Sequence, residues 1–158
     1  MNIQIDKKVQ PRNIFKPQAR GFSVIINHNT FIGTGNFIFR EDIATKGYIS
    51  SYNNLQDKYY EKENSSFTKF VYYRDYGSSD VNCNFNIDKE NNRITFKNVK
   101  LSDGSIYDVA LDYKRYSYFK KLGCEFRFKN RNDIVGLFKN IGEHKSPELV
   151  GLITMIKI

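Results

Sequence analysis

A chain of 158 residues, 40% hydrophobic and 15% aromatic, has the length and composition of one globular domain with a real core, which excludes a disordered segment. Its longest apolar run, residues 149–158, is too short for a membrane-spanning helix and carries Lys157, and two cysteines are too few for a disulfide framework or a zinc site. The net charge of +8 favours an anionic partner, nucleic acid before an acidic protein.

That charge is segregated. Ile, Asn and Lys supply 17 residues each, a profile of AT-rich coding sequence in which codon bias alone raises the lysine count. Yet residues 1–20 carry a net +4 and residues 111–131 a net +5, whereas residues 21–110 come to −1 and residues 132–158 to 0. Uniform bias would not leave the excess in two places.

Residues 1–20 read as a basic arm: Pro11 and Pro17 discourage regular structure, while Ile3, Ile5, Ile14 and Phe15 offer docking points. The first eight residues lack the apolar region of a secretory signal. With Cys83 and Cys124 read as small core or strand residues, the expected setting is the reducing cytoplasm. Residues 21–158 are expected to form a single β-rich domain. Residues 21–27 and 30–40 are β-rich runs joined by a hairpin turn at Asn27-His28-Asn29, and Gly33 and Gly35 mark a bulge or a close backbone approach. Residues 46–52 read as a short strand ended by Asn53-Asn54. Residues 55–66 read as an exposed hairpin tip or loop, and residues 67–74 as a strand that enters a turn at residues 75–79.

Arg20-Gly-Phe-Ser-Val-Ile-Ile-Asn, Thr30-Phe-Ile, Phe37-Ile-Phe, Gly47-Tyr-Ile-Ser-Ser and Asp57-Lys-Tyr-Tyr follow one another in an order that resembles the stage V sporulation protein G (SpoVG) family. The resemblance covers residues 20–67 and is a pattern of strands more than of identities. It implies a small DNA-binding protein whose glycine-led strand, residues 47–51, ends near serine. Where that family has basic residues after the serine, this chain has Tyr52-Asn53-Asn54, a departure at the position of the family's DNA contact.

Val81, Cys83, Phe85 and Ile87 alternate with Asn82, Asn84, Asn86 and Asp88, the pattern of a half-buried antiparallel strand. Turns at residues 89–92 and at Ser102-Asp103-Gly104 make residues 81–111 a three-stranded meander that leads directly into the basic stretch. There, Asp112 caps a short helix and Gly123 stops it, with Lys120 and Lys121 in the last turn. Cys124, Phe126 and Phe128 then face in while Glu125, Arg127 and Lys129 face out, either as a binding surface or as a charge-protected edge strand. Asn132 or Asp133 caps a second helix with Ile134, Leu137, Phe138 and Ile141 on one side. Residues 149–158 read as a buried strand, with a helix capped by Ser146 as the alternative.

Catalytic signals are sparse. Glu143-His144-Lys145 and Glu125-Phe126-Arg127, with Asp112 or Asp133, can be drawn as the carboxylate set of a metal-dependent nuclease, but nothing in the spacing forces convergence. A nucleophilic pair would need Cys83 or Cys124 beside His28 or His144. Gly33-Thr-Gly35 lacks the Gly-Lys-Ser/Thr of a phosphate loop. The expectation is an α+β, β-rich domain with a curved antiparallel sheet and one or two short helices. It would be non-enzymatic and without cofactor or metal, binding DNA or RNA with low sequence specificity. Lys114, Arg115, Lys120, Lys121, Arg127, Lys129 and Arg131 would neutralise phosphates, and Tyr116, Tyr118 and Tyr52 would stack on bases. The alternative is a small inhibitor or accessory factor, for example of a phage or mobile element, whose basic face covers an acidic or nucleic-acid-binding surface of a partner protein. Pairing of the C-terminal strand across a two-fold axis would give a homo-oligomer.

Overall fold

The computed structural model describes residues 5–61, 77–129, 134–142 and 146–157. The N-terminal β-rich runs become three antiparallel strands, Gly21–Ile26 (β1), Asn29–Thr34 (β2) and Phe37–Arg40 (β3). Asn27 (φ 49°) and His28 (φ 69°) both take the left-handed backbone of a two-residue turn whose twist suits a hairpin. The two glycines divide the work differently from the sequence reading. Gly33 is the close approach, since a Cβ there would collide with the Phe37 carbonyl, whereas Gly35 stands in open space in the turn between β2 and β3.

Lys58–Glu61 (β4) adds in parallel to β1. On the other side, Glu148–Thr154 (β10) pairs with β3, Ile134–Lys139 (β9) with β10, and Glu125–Arg127 (β8) with β9, all antiparallel. The sheet order is β4-β1-β2-β3-β10-β9-β8. A separate three-stranded meander forms from Asn84–Asp88 (β5), Arg93–Lys100 (β6) and Ile106–Asp112 (β7), but its first strand starts later than the alternation from Val81 predicts, because residues 80–82 form a 3-10 turn that leaves Val81 exposed. The chain is thus strand-rich α+β, with an open sheet rather than a barrel.

Three helices among the described residues pack on the large sheet: Pro11–Ile14 (α1), Lys46–Asn53 (α2) and Tyr113–Lys121 (α3). Helix α3 is the one that the sequence predicts. The Asp112 carboxylate accepts from Arg115 N at 2.9 Å, Asn92 takes the Tyr113 and Lys114 N–H groups, and Gly123 (φ 88°) ends it. Two expectations are corrected. Residues 46–52 are helical because Thr45 Oγ1 accepts from Tyr48 N at 3.1 Å and starts a helix that buries Tyr48 and Tyr52, four residues apart. The strand that the SpoVG resemblance places at residues 47–51 is therefore absent. Residues 134–139 form a strand because β9 lies between β8 and β10 and buries both faces, so its continuous apolar run has no period of its own. The strand expected at residues 67–74 and the caps Asn132 and Asp133 lie outside the described residues.

The main core lies between the helical face of the large sheet and the meander, and it is dense in rings. Phe15 meets Tyr48 and Phe37 edge-on at 4.9 and 5.1 Å between centroids, and Phe119 lies 5.3 Å from Phe39. A second cluster, including Val24, Phe31, Ile38 and Leu152, occupies the opposite face of the same sheet. Backbone hydrogen bonds among the described residues join the sheets. Ile156 N donates to Ala110 O at 2.8 Å. Residues 77–79 lie between β8 and β6, with Gly77 N on Phe128 O and Ser78 N on Lys100 O.

Candidate nucleic-acid interface

Helix α3 turns its rings inward. Tyr116 is fully buried and its hydroxyl donates to Asp80 Oδ2 at 2.7 Å. Burial and the neighbouring Asp80 carboxylate push that phenol well above its ordinary pKa. Tyr118 is buried too, its hydroxyl sharing a hydrogen bond with Thr45 Oγ1 at 3.0 Å and its ring stacked on Tyr48. Tyr52 is buried beneath α2, where desolvation raises its hydroxyl pKa and Ser23 supplies a hydrogen bond. All three tyrosines assigned to base stacking are core residues.

Most of the cations of this stretch are also engaged. Lys120 Nζ lies 2.5 Å from Asp80 Oδ2. Lys121 Nζ donates to the Val9 carbonyl at 2.6 Å. Arg115 is largely covered, its guanidinium 5.0 Å over the Phe37 ring and its Nε 4.0 Å from Asp112. Arg127 pairs with Glu125 at 2.9 Å and lies 4.5 Å over Phe138. Lys129 is 4% exposed rather than on an outer face. The β8 edge is neither an open binding strand nor a charge-protected one, because residues 77–79 cover it. Among the described cations of the set only Lys114 is exposed. Arg131 lies outside the described residues.

The arm carries a group of the exposed cations. Val9, Ile14 and Phe15 are buried in the core, Pro11 opens a short helix instead of breaking structure, and Asp6 N donates to the buried Ser117 Oγ at 3.1 Å. This docking leaves Lys7, Lys8, Arg12, Lys16 and Arg20 exposed. Arg20 forms a solvent-exposed pair with Asp57 at 3.4 Å. No carboxylate among the described residues pairs with the side chains of the other four. Asp6, the one acid of the arm, accepts instead from Lys8 N at 3.0 Å. Lys46 joins them, because the adjacent Gly47 lies against the Pro11 ring. The arm's apolar docking points were readable in sequence; its value as the main basic surface was not, since it depends on α2 and α3 holding it down.

Chemistry fares no better than base stacking. Glu125 is spent on Arg127 and Asp112 on the helix cap, and His144 and Asp133 lie outside the described residues. His28 is exposed in the first hairpin turn, while both cysteines are buried. Burial pushes the Cys124 thiol up to about 12 from its ordinary 9.0, against the pull of Lys139 and Lys120, and burial followed by Asp80 raises Cys83. The stability that the protonated Cys124 contributes is complete below pH 9.0 and is lost as pH rises toward 12. With an aromatic disulfide reagent at pH 8, the native protein is expected to release little chromophore and the urea-unfolded protein two equivalents. Rapid release from the native state would contradict the burial.

Compared with known proteins, the chain matches no family model, no curated protein and no solved structure. The functional reading therefore rests on the geometry alone.

Proposed function

We propose that this protein binds nucleic acid non-enzymatically through backbone phosphates, using the docked arm rather than residues 111–131 as the contact surface. The observation that carries this reading is the row of exposed arm cations, Lys7, Lys8, Arg12 and Lys16, which have no carboxylate partner among the described residues and are fixed to the fold by buried Val9, Ile14 and Phe15. Lys46 and Lys114 extend the positive surface. Tyr52, Tyr116 and Tyr118 are used in the core, so the reading rests on phosphate contacts by the exposed cations, which favour low sequence specificity.

The test is a titration of labelled single- and double-stranded DNA and RNA at two salt concentrations. With four to five phosphates neutralised, the logarithm of the association constant for DNA duplex should fall with the logarithm of salt at a slope of about −4. Changing Lys7, Lys8, Arg12 and Lys16 to Ser should weaken binding by about tenfold or more, whereas Lys100→Ser with Lys157→Ser should not. Lys120 is a poor choice for this purpose, since its removal would disturb the core. Absence of binding at low salt would end the nucleic-acid reading and leave an acidic protein surface as the partner to seek.

A further inference from the structure

At one corner of the large sheet two neighbouring ladders stop at different heights. β2 pairs with β3 as far as Phe31 and Arg40, but β10 pairs with β3 only from Ile153 opposite Phe37 to Gly151 opposite Phe39. A bulge in β10 between Leu149 and Gly151 shifts its register there. Bulges re-aim side chains and part strands, and here the result is a cleft of about 370 Å³. That is within the roughly 300–1,000 Å³ of small-molecule sites.

Ile26, Phe31 and Leu149 supply apolar lining, and Arg40 is the cationic lining residue. Arg40 is only 9% exposed. Its Nε donates to Asp42 Oδ1 at 3.1 Å and its Nη2 to Asp42 Oδ2 at 2.7 Å. This fork holds the guanidinium plane still, and the side-chain hydrogen bonds from Arg40 keep the Asp42 carboxyl below its ordinary pKa. A guanidinium has two bidentate edges. Asp42 occupies the Nε–Nη2 edge, and no acceptor among the described residues meets Nη1. The Nη1–Nη2 edge matches a second planar carboxylate. Glu148, also at the cleft, repels any anion and repels a dianion more strongly than a monoanion, so the fork on Arg40 must outweigh it.

We propose that this cleft binds a small monocarboxylate with an apolar body, the carboxylate on the outer edge of Arg40 and the body against Ile26, Phe31 and Leu149. The site is independent of the basic arm. The test titrates hexanoate and 3-phenylpropionate into the full ¹⁵N-labelled chain and follows the backbone amides of residues 26, 31, 40 and 149. Both acids should move these resonances saturably. Their neutral amides and the dianion phenyl phosphate should bind about tenfold or more weakly, because a charge-assisted fork is lost or Glu148 opposes it. Arg40→Lys keeps the charge and loses the fork, and should weaken the acids to a similar degree. No saturable shift by roughly 10 mM acid, which is weaker than any useful small-molecule site, would overturn the proposal. So would equal binding of acid and amide, a comparison made on the unaltered protein and so independent of whether the variant folds.

Discussion

Replacing Asp80 by Ala is expected to cost about 3–5 kcal/mol of folding stability, a large part of what a domain of this size possesses. Asp80 is completely buried, and its two oxygens tie three elements together. Its own turn, residues 80–82, hangs from the carboxylate. Tyr116 and Lys120 of α3 donate to Oδ2 at 2.7 and 2.5 Å, and Phe126 N of β8 donates to Oδ1 at 3.2 Å. Truncation would leave a hydroxyl, an N–H and an ammonium without their acceptor. The cost lies in those unsatisfied donors rather than in any large net gain from the ion pair. Asp80→Asn, which retains an acceptor for Tyr116, should lose roughly half as much. Urea unfolding of D80A, K120M and the double variant should give a coupling energy above about 1.5 kcal/mol. A loss under about 1 kcal/mol for D80A would show that the carboxylate is not the fastening described.

Gly33→Ala is expected to destabilise by about 3 kcal/mol, whereas Gly35→Ala, two residues along the same hairpin, should change stability by less than about 1 kcal/mol. The contrast isolates space from chain entropy. At Gly33 the added methyl would meet the Phe37 carbonyl oxygen and the Ile38 Cα, both backbone atoms that cannot rotate away, while at Gly35 nothing lies within 4 Å. Relief would require parting β2 from β3 next to buried Phe37, and that ring anchors Phe15 and Phe119. Thermal and urea unfolding of the two variants decide the matter. Equal midpoints would mean that the hairpin backbones are farther apart than described.

What could be read from the sequence was whatever local chemistry decides. The meander showed itself because Cys83, Phe85 and Ile87 alternate and Asp103-Gly104 turns the chain, and α3 because Asp112 and Gly123 mark its ends. Residues 134–139 and 46–52 were misread where the periods coincide: Ile134, Leu137 and Phe138 fit a helical stripe as well as a two-sided strand, and Tyr48 and Tyr52 fit either pattern. The candidate site was misread for a different reason. Lys120 meets Asp80 forty positions away and Lys121 meets the Val9 carbonyl more than a hundred away, so no window over residues 111–131 could reveal that most of its described cations and rings are already occupied. The arm's charge was visible all along, but its exposure is a tertiary fact.

The sheet order has a bearing on how the polypeptide comes together during synthesis. β10, the last of the described strands to leave the ribosome, lies between β3 and β9. Until it arrives, the N-terminal hairpins and the later β8–β9 pair are separate half-sheets, each with a bare apolar margin. Such a nascent chain gains its longest-range contacts only at the end, the order of events that slows folding and invites holdase chaperones or misassembly between neighbouring chains. A ribosome-bound fragment ending at residue 142 should accordingly be protease-sensitive and prone to associate, and it should become resistant once residues 148–154 have cleared the exit tunnel.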